Sequence, residues 1–329
     1  MFRLVSGAAK KLAISQPVLL LLFFIIIVVS LINPNFAPIS NASNILVDAS
    51  IYGVAALAMT TAIICGEFDL SLASNFAMSQ IVLCYLLNLW GDSGLGILAA
   101  IICTLMVSTF IGCINALVVV KGKISSFIAT LGMMTVVRGL ALLLTGGDMI
   151  ATSNEFVKAI GRGTFLGISY ITYIFVVIIA VFYFVLNYTR FGRNIYATGG
   201  NYNVAKVAGI KVDFYKFSIF AILGLCAGIA GFLFVCLMRA GSVLYGTDLA
   251  LTCVAATVIG GTPLTGGKGN ILKTVVGIVL LYVIYRALAF LGIGGYYNSL
   301  VKGLILLVIV AGDAYFTNTG RSTLAASNQ

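Results

Sequence analysis

The chain has 329 residues, 61% of them hydrophobic and 9% charged, with 19 Lys and Arg against 9 Asp and Glu for a formal net charge of +10. A soluble domain carries about 25% charged residues, so this composition excludes a soluble globular enzyme. The apolar runs are continuous rather than alternating, which excludes an outer-membrane barrel, and the basic residues are too dispersed for a nucleic-acid groove. What remains is enough apolar sequence for about ten membrane helices of about 20 residues each, in keeping with a mean hydropathy of +1.14.

In chain order, spans are expected near 16–32, 46–65, 71–90, 95–120, 124–145, 165–187, 216–238, 249–260, 271–292 and 297–316. The first follows Arg3, Lys10 and Lys11 and could pass for a signal peptide. It ends in Asn33-Pro34 without a small-x-small cleavage site, so it reads as an uncleaved helix. Turn residues fill the connections, from Asn33 to Asn44, at Gly91-Asp92-Ser93-Gly94, at Gly146-Gly147-Asp148 and from Gly292 to Gly295. Trp90, Tyr188, Tyr296, Tyr297 and Tyr315 fall at span ends, where amphipathic rings prefer the interface.

Charge sets the expected orientation. With the N-terminus inside, thirteen basic residues, from Arg3 to Arg321, fall on the cytoplasmic side, and three (Lys158, Arg162, Arg239) fall outside. Both termini are therefore expected in the cytoplasm. The longest polar connection, about 188–215, is cytoplasmic and has too little apolar sequence to build a domain, so residues 1–329 read as one transmembrane domain. Val137-Arg138-Gly139-Leu140 and Val301-Lys302-Gly303-Leu304 suggest an internal repeat. Both would lie at the same depth, however, whereas an inverted repeat needs opposite depths, so repeat and coincidence stand level.

The absence of His and of any CxxC pair among the seven cysteines leaves no histidine relay, hydrolase triad or usual zinc site; no catalytic residue and no metal are expected. The segment Gly260 to Asn270 invites a phosphate-loop reading, but that motif needs Gly at the position of Thr262 and Ser or Thr at that of Gly269. Gly260, Gly261, Gly266 and Gly267 instead suggest a tight turn where backbones approach closely, with a plain hairpin as the alternative. In the 188–215 connection, Asn201 to Val207 suits a short amphipathic helix, with Asn201 as its N-terminal cap and Gly209 just past its end. Gly199-Gly200 would give a sharp turn into it. The plainer alternative is a solvated basic loop.

Three segments carry a resemblance. They are Gly66-Glu67-Phe68-Asp69-Leu70-Ser71, the loop containing Arg190, Gly192, Arg193, Asn194, Ala197, Gly199, Gly200, Asn201, Ala205 and Gly209, and the turn Gly260-Gly261-Thr262 to Gly266-Gly267-Lys268-Gly269. In this order they resemble the membrane permease family of bacterial sugar ABC importers, the ribose, xylose and galactoside type, from about Asn44 to Asp313. Two departures bear on substrate. Glu67, Phe68, Leu72 and Ala73 stand where the family usually has Gly, Ile, Val and Gly, and Ala250-Leu251-Thr252 stand where it usually has Glu-Leu-Asp.

The resemblance implies an all-α, polytopic ABC importer permease fold in the bacterial cytoplasmic (inner) membrane, without catalytic activity of its own. Its implied partners are a second permease copy, cytoplasmic ATPase subunits that hold the ATP and Mg, a periplasmic or extracellular binding protein, and membrane lipid. The implied cargo is a monosaccharide, a ribose-like pentose or a hexose. An ion-coupled secondary transporter is the alternative, as is a permease for another small polar solute such as an autoinducer, a polyol or a branched-chain amino acid. The 188–215 loop would be the element that couples to the ATPase.

Charges inside spans are costly and point to function. Thr60, Thr61, Ser71, Asn75, Asn115, Thr130 and Arg138 are candidates for the solute pathway, against the ordinary use of Ser and Thr in packing membrane helices. Glu67 and Asp69 are candidates for a gate or a structural ion pair, and Arg286 and Lys302 are further charges inside spans. Placement at the interface is the alternative for all four.

Overall fold

A computed structural model describes residues 17–90 and 93–293 together with positions 297, 300, 303, 304 and 307. Helix α1 (Pro17–Ile32) leads through a 3-10 turn at Pro34–Phe36 into α2 (Ile39–Cys65). Then follow α3 (Leu72–Trp90), α4 (Gly94–Val120) and α5 (Ser126–Thr145). A short excursion carries β1 (Ile150–Ala151), α6 (Glu155–Arg162), and the hairpin β2 (Thr164–Phe165) and β3 (Ile168–Ser169). After α7 (Tyr170–Tyr188) come two short helices, α8 (Arg190–Gly200) and α9 (Tyr202–Val207). The chain continues through α10 (Val212–Met238), β4 (Ala240–Gly241), α11 (Leu249–Ile259) and α12 (Ile271–Phe290).

Among the described residues seven helices (α2, α3, α4, α5, α7, α10 and α12) are long and apolar enough to cross a membrane, and α1 and α11 are shorter apolar helices. The tenth expected span, 297–316, lies outside the described residues except for Tyr297, Leu300, Gly303, Leu304 and Leu307, which are helical. Arg3, Lys10, Lys11, Lys302 and Arg321 also lie outside them.

Helix α2 is the core of the bundle, buried along most of its length between α10, α11, α12 and α7. Helix α10 also packs on α3 and α4. It meets α4 closely because both are glycine at the crossing: a Cβ on Gly112 would stand 2.2 Å from the Phe220 carbonyl oxygen, and one on Gly224 2.5 Å from that of Ser108. Small residues of this kind let membrane helices associate without a hydrophobic driving force. Helices α4, α5 and α7 leave Phe110, Leu143 and Phe184 bare, as suits an apolar solvent.

The two largest boundary differences are at the starts of α2 and α7. Helix α2 begins at Ile39, not near 46, because its polar first turns are satisfied. Asn41 Nδ2 donates to the Phe36 carbonyl (2.8 Å), and Asp48 accepts from Arg286 Nη2 (2.9 Å). Arg286 is thus part of an interhelical ion pair. The span expected at 165 begins at Tyr170, because residues 164–169 close a tight hairpin with positive φ at Leu166 and Gly167. Strand β1 pairs antiparallel with β4, nearly ninety residues later, and ties the α5–α6 connection to the end of α10.

Candidate functional site

The end of the bundle that carries Lys121, Lys123 and the connection from α7 to α10 gathers three segments far apart in sequence. Helix α8 starts where Thr189 Oγ1 accepts from the Gly192 amide (3.2 Å). Helix α9 is capped by Asn201, whose Oδ1 accepts from the Val204 amide (3.1 Å), and ends at Gly209, with φ +81 and its amide bonded to the Lys206 carbonyl (3.1 Å). Ile195 and Ala205 are buried, whereas Val204 (63%) and Val207 (90%) stand exposed. Arg190, Arg193 and Ala197 are also on the outside. Asn194 Nδ2 donates to Tyr215 Oη (2.5 Å) and Tyr196 Oη to the Gly269 carbonyl (3.0 Å).

The expectation for Gly199-Gly200 needs correction. They form the last residues of α8 rather than a turn, because contact with α2 holds them helical. A Cβ on Gly199 would lie 1.8 Å from the Ile64 carbonyl oxygen. The glycine turn closes the same junction: one on Gly267 would lie 2.6 Å from Gly200 Cα, and the Gly267 amide donates to Ile64 O (2.8 Å). Gly66, Gly261, Gly266 and Gly267 all have positive φ. Gly260 packs on the first turns of α12, its Cβ position 2.8 Å from the Lys273 carbonyl. The turn therefore caps the end of α2, whose last carbonyls lack helical partners; its amide is engaged by protein rather than open to a phosphate.

Beside this junction runs the 66–71 segment, in which Glu67, Asp69 and Ser71 are buried. Ser71 donates to Asp69 Oδ1 through its amide (2.8 Å) and hydroxyl (2.6 Å), and Asn115 Nδ2 of α4 donates to Ser71 Oγ (2.7 Å). From α5, Ser126 Oγ accepts from the Phe68 amide (3.3 Å) and Thr130 Oγ1 from the Leu70 amide (3.0 Å). Burial pushes the Asp69 carboxyl up to about 6, with the Ser71 and Asn115 hydrogen bonds holding it back. Glu67 forms an ion pair with Lys216 of α10, whose ammonium lies 5.1 Å over the Tyr202 ring of α9. A cavity of about 370 Å³ opens next to them, lined also by Lys123, Ser125, Ser126 and Asp213.

The remaining pathway candidates are dispersed. Thr60 lies in a buried clasp, its Oγ1 2.8 Å from that of Thr257 on α11 and 3.0 Å from that of Thr274 on α12. Thr61 bonds back to the Leu57 carbonyl (2.8 Å). Asn75 Nδ2 donates to the Ser108 carbonyl (2.9 Å), and Ser108 Oγ lies 2.6 Å from the Gly224 carbonyl, joining α3, α4 and α10. Arg138 on α5 has no hydrogen-bond partner for Nε or Nη2 among the described residues, although both atoms are covered. Sequence reasoning missed Lys216, Tyr202, Thr257 and Thr274. In the sequence Lys216 is one of the thirteen basic residues assigned to the cytoplasmic side; the nearby signal is its place in the second turn of α10, with Asp213 on the same helix end.

The family described as branched-chain amino acid transport system / permease component matches residues 41–310. The ribose import permease protein of Haemophilus influenzae is 34% identical over 292 residues, covering 88% of this chain and 89% of that protein. That of Bacillus subtilis is 36% identical over 288 residues, 87% of this chain and 88% of that protein. The L-arabinose ABC transporter permease protein of Azospirillum brasilense is 35% identical over 294 residues, 89% and 86% respectively. No solved structure matches the chain.

Proposed function

Since this chain belongs to the permease-component family of the branched-chain amino acid transport system type, we propose that it is the membrane permease subunit of an ATP-binding-cassette importer that moves a monosaccharide, a ribose-like pentose or a hexose, across the cytoplasmic membrane. The relatives that support the sugar are those named for ribose and L-arabinose. ATP and Mg belong to separate ATPase subunits, and a binding protein outside the membrane delivers the solute. Both termini lie in the cytoplasm, and a second copy of the chain completes the core.

The observation that carries this reading is the knob formed by α8 and α9. A capped helix of six residues presents Val204 and Val207 to its surroundings, and the adjoining α8 is joined to the end of α2 by a backbone-to-backbone junction. Exposed apolar side chains on a rigid, charge-rimmed helix suit the groove of a protein partner. Closing of the ATPase pair would then bias a bundle with two arrangements, open to one side or the other. Helix α5, among the least buried of the long helices and bearing Arg138, is read as facing the second copy and the solute path.

The test is reconstitution with the ATPase subunits and binding protein. Val207→Asp is expected to weaken ATPase docking by about 2 kcal/mol or more and to abolish uptake while the permease itself stays folded. Uptake by the chain alone, driven by a sodium or proton gradient, would refute the reading.

A further inference from the structure

The two helices of the knob are fastened to the bundle differently. Helix α8 meets α2 backbone to backbone at Gly199, with no side chain in between to yield there, and reaches the glycine turn through Gly200 and the Tyr196 hydroxyl. Helix α9 turns the buried Ala205 methyl inward, and over its exposed Tyr202 ring sits Lys216. An ammonium on a four-carbon stem can follow a moving partner in a way that packed backbone cannot.

Lys216 has a second contact, with Glu67, a side chain only 4% exposed. Removing one partner of a buried ion pair is costly, and among the described residues Lys216 is the cation within ion-pair distance of Glu67. Glu67 is itself rigidly presented. Gly66 turns the end of α2 with φ +85, and the Glu67 amide bonds back to the Ala62 carbonyl (2.9 Å). Beyond it, the 66–71 segment is pinned to α4 through Asn115 and to α5 through Ser126 and Thr130. The adjoining cavity of about 370 Å³ leaves room for the Lys216 head group to shift.

We propose that Lys216 is the positioning residue through which α9 sets the place of Glu67, and with it the 66–71 segment, so that movement imposed on α9 is passed through this ion pair to the anchors of that segment on α4 and α5. The inference rests on the importer reading above and adds to it the route taken inside the permease. It separates two duties: α8 holds the knob on, and Lys216 passes the movement inward.

The experiment measures uptake and ATP hydrolysis together, in proteoliposomes holding the permease with its ATPase subunits and loaded binding protein. Lys216→Gln is expected to assemble and hydrolyse ATP while solute moved per ATP falls on the order of tenfold. Lys216→Arg should keep most of the ratio. Tyr202→Leu, which takes away the ring beneath the ammonium and leaves the Lys216–Glu67 pair in place, should lower the ratio in the same direction, which a lysine that only neutralises Glu67 would not require. An unchanged ratio in Lys216→Gln overturns the proposal, as does an assembled Tyr202→Leu variant with an unchanged ratio. If Lys216→Gln fails to assemble, Tyr202→Leu decides by the same criterion. ATP-driven uptake by the unaltered complex separates the two claims, since its absence refutes the importer reading and its presence with an unchanged Lys216→Gln ratio refutes only the role of Lys216.

Discussion

Replacing Gly199 with alanine tests whether the knob is fastened by backbone contact. The new Cβ would stand 1.8 Å from the Ile64 carbonyl oxygen and 2.9 Å from the Cys65 carbonyl carbon. Neither atom is the end of a flexible side chain, so α8 or the end of α2 has to move. Overpacking of this kind costs about 1–3 kcal/mol, and the absence of slack puts this site at the upper end. Ile64 O also accepts from the Gly267 amide (2.8 Å), and losing that bond adds about 1 kcal/mol. The expected loss is therefore about 3–4 kcal/mol, a large part of the 5–15 kcal/mol that holds a typical fold. Gly200→Ala is the internal control, because its Cβ would meet nothing nearer than Gly267 Cα at 4.0 Å. The assay is the fraction of monodisperse detergent-purified protein left after heating, with ATPase co-purification as the second readout. Gly199→Ala should melt well below the parent and lose its partner, whereas Gly200→Ala should do neither. Equal behaviour of the two variants, or a Gly199→Ala protein as stable as the parent, would refute the argument.

Two further outcomes follow from buried polar groups. Asp69 lies outside the long helices, with its carboxyl raised from 3.8 to about 6 by burial, so the folded chain holds a proton that the unfolded chain has released between those values. Its contribution to stability is present below that window and is lost as pH rises through it; Asp69→Asn should flatten this part of the melting-temperature profile, and an unchanged slope counts against it. Arg138→Leu is expected to raise the stability of the purified permease by about 1 kcal/mol or more, because it removes a covered guanidinium edge without a partner among the described residues. It should lower uptake if the edge serves the solute or the second copy, so a variant no more stable than the parent, with full uptake, would show that the edge is satisfied in another way.

The spans from α3 to α5 and from α10 to α12 were legible because long apolar runs between turn residues leave little choice in a membrane. Helix α9 was legible through its caps, Asn201 and Gly209, which are local signals. Helix α8 was not, since three glycines in eleven residues argue against a helix and its contacts with the end of α2 and the glycine turn come from distant parts of the chain. The same limit applies to the polar residues. Thr60 looks like a pathway hydroxyl in a row of apolar neighbours, but whether it faces solute or Thr257 and Thr274 depends on helices some two hundred residues away. The Lys216–Glu67 pair is non-local too, and a single sequence shows two charges without showing that they meet.

The glycine junction also bears on how parts of this protein can be exchanged. Three stretches of chain, near 64–66, 199–200 and 266–267, touch there with no side chain to absorb a misfit. Transplanting the α8–α9 knob from a relative to redirect the permease to a foreign ATPase would bring one surface of a three-sided joint against two that were never shaped for it. Chimaeras of this kind should work when all three stretches travel together, and the smallest portable module is therefore a set of three separate fragments.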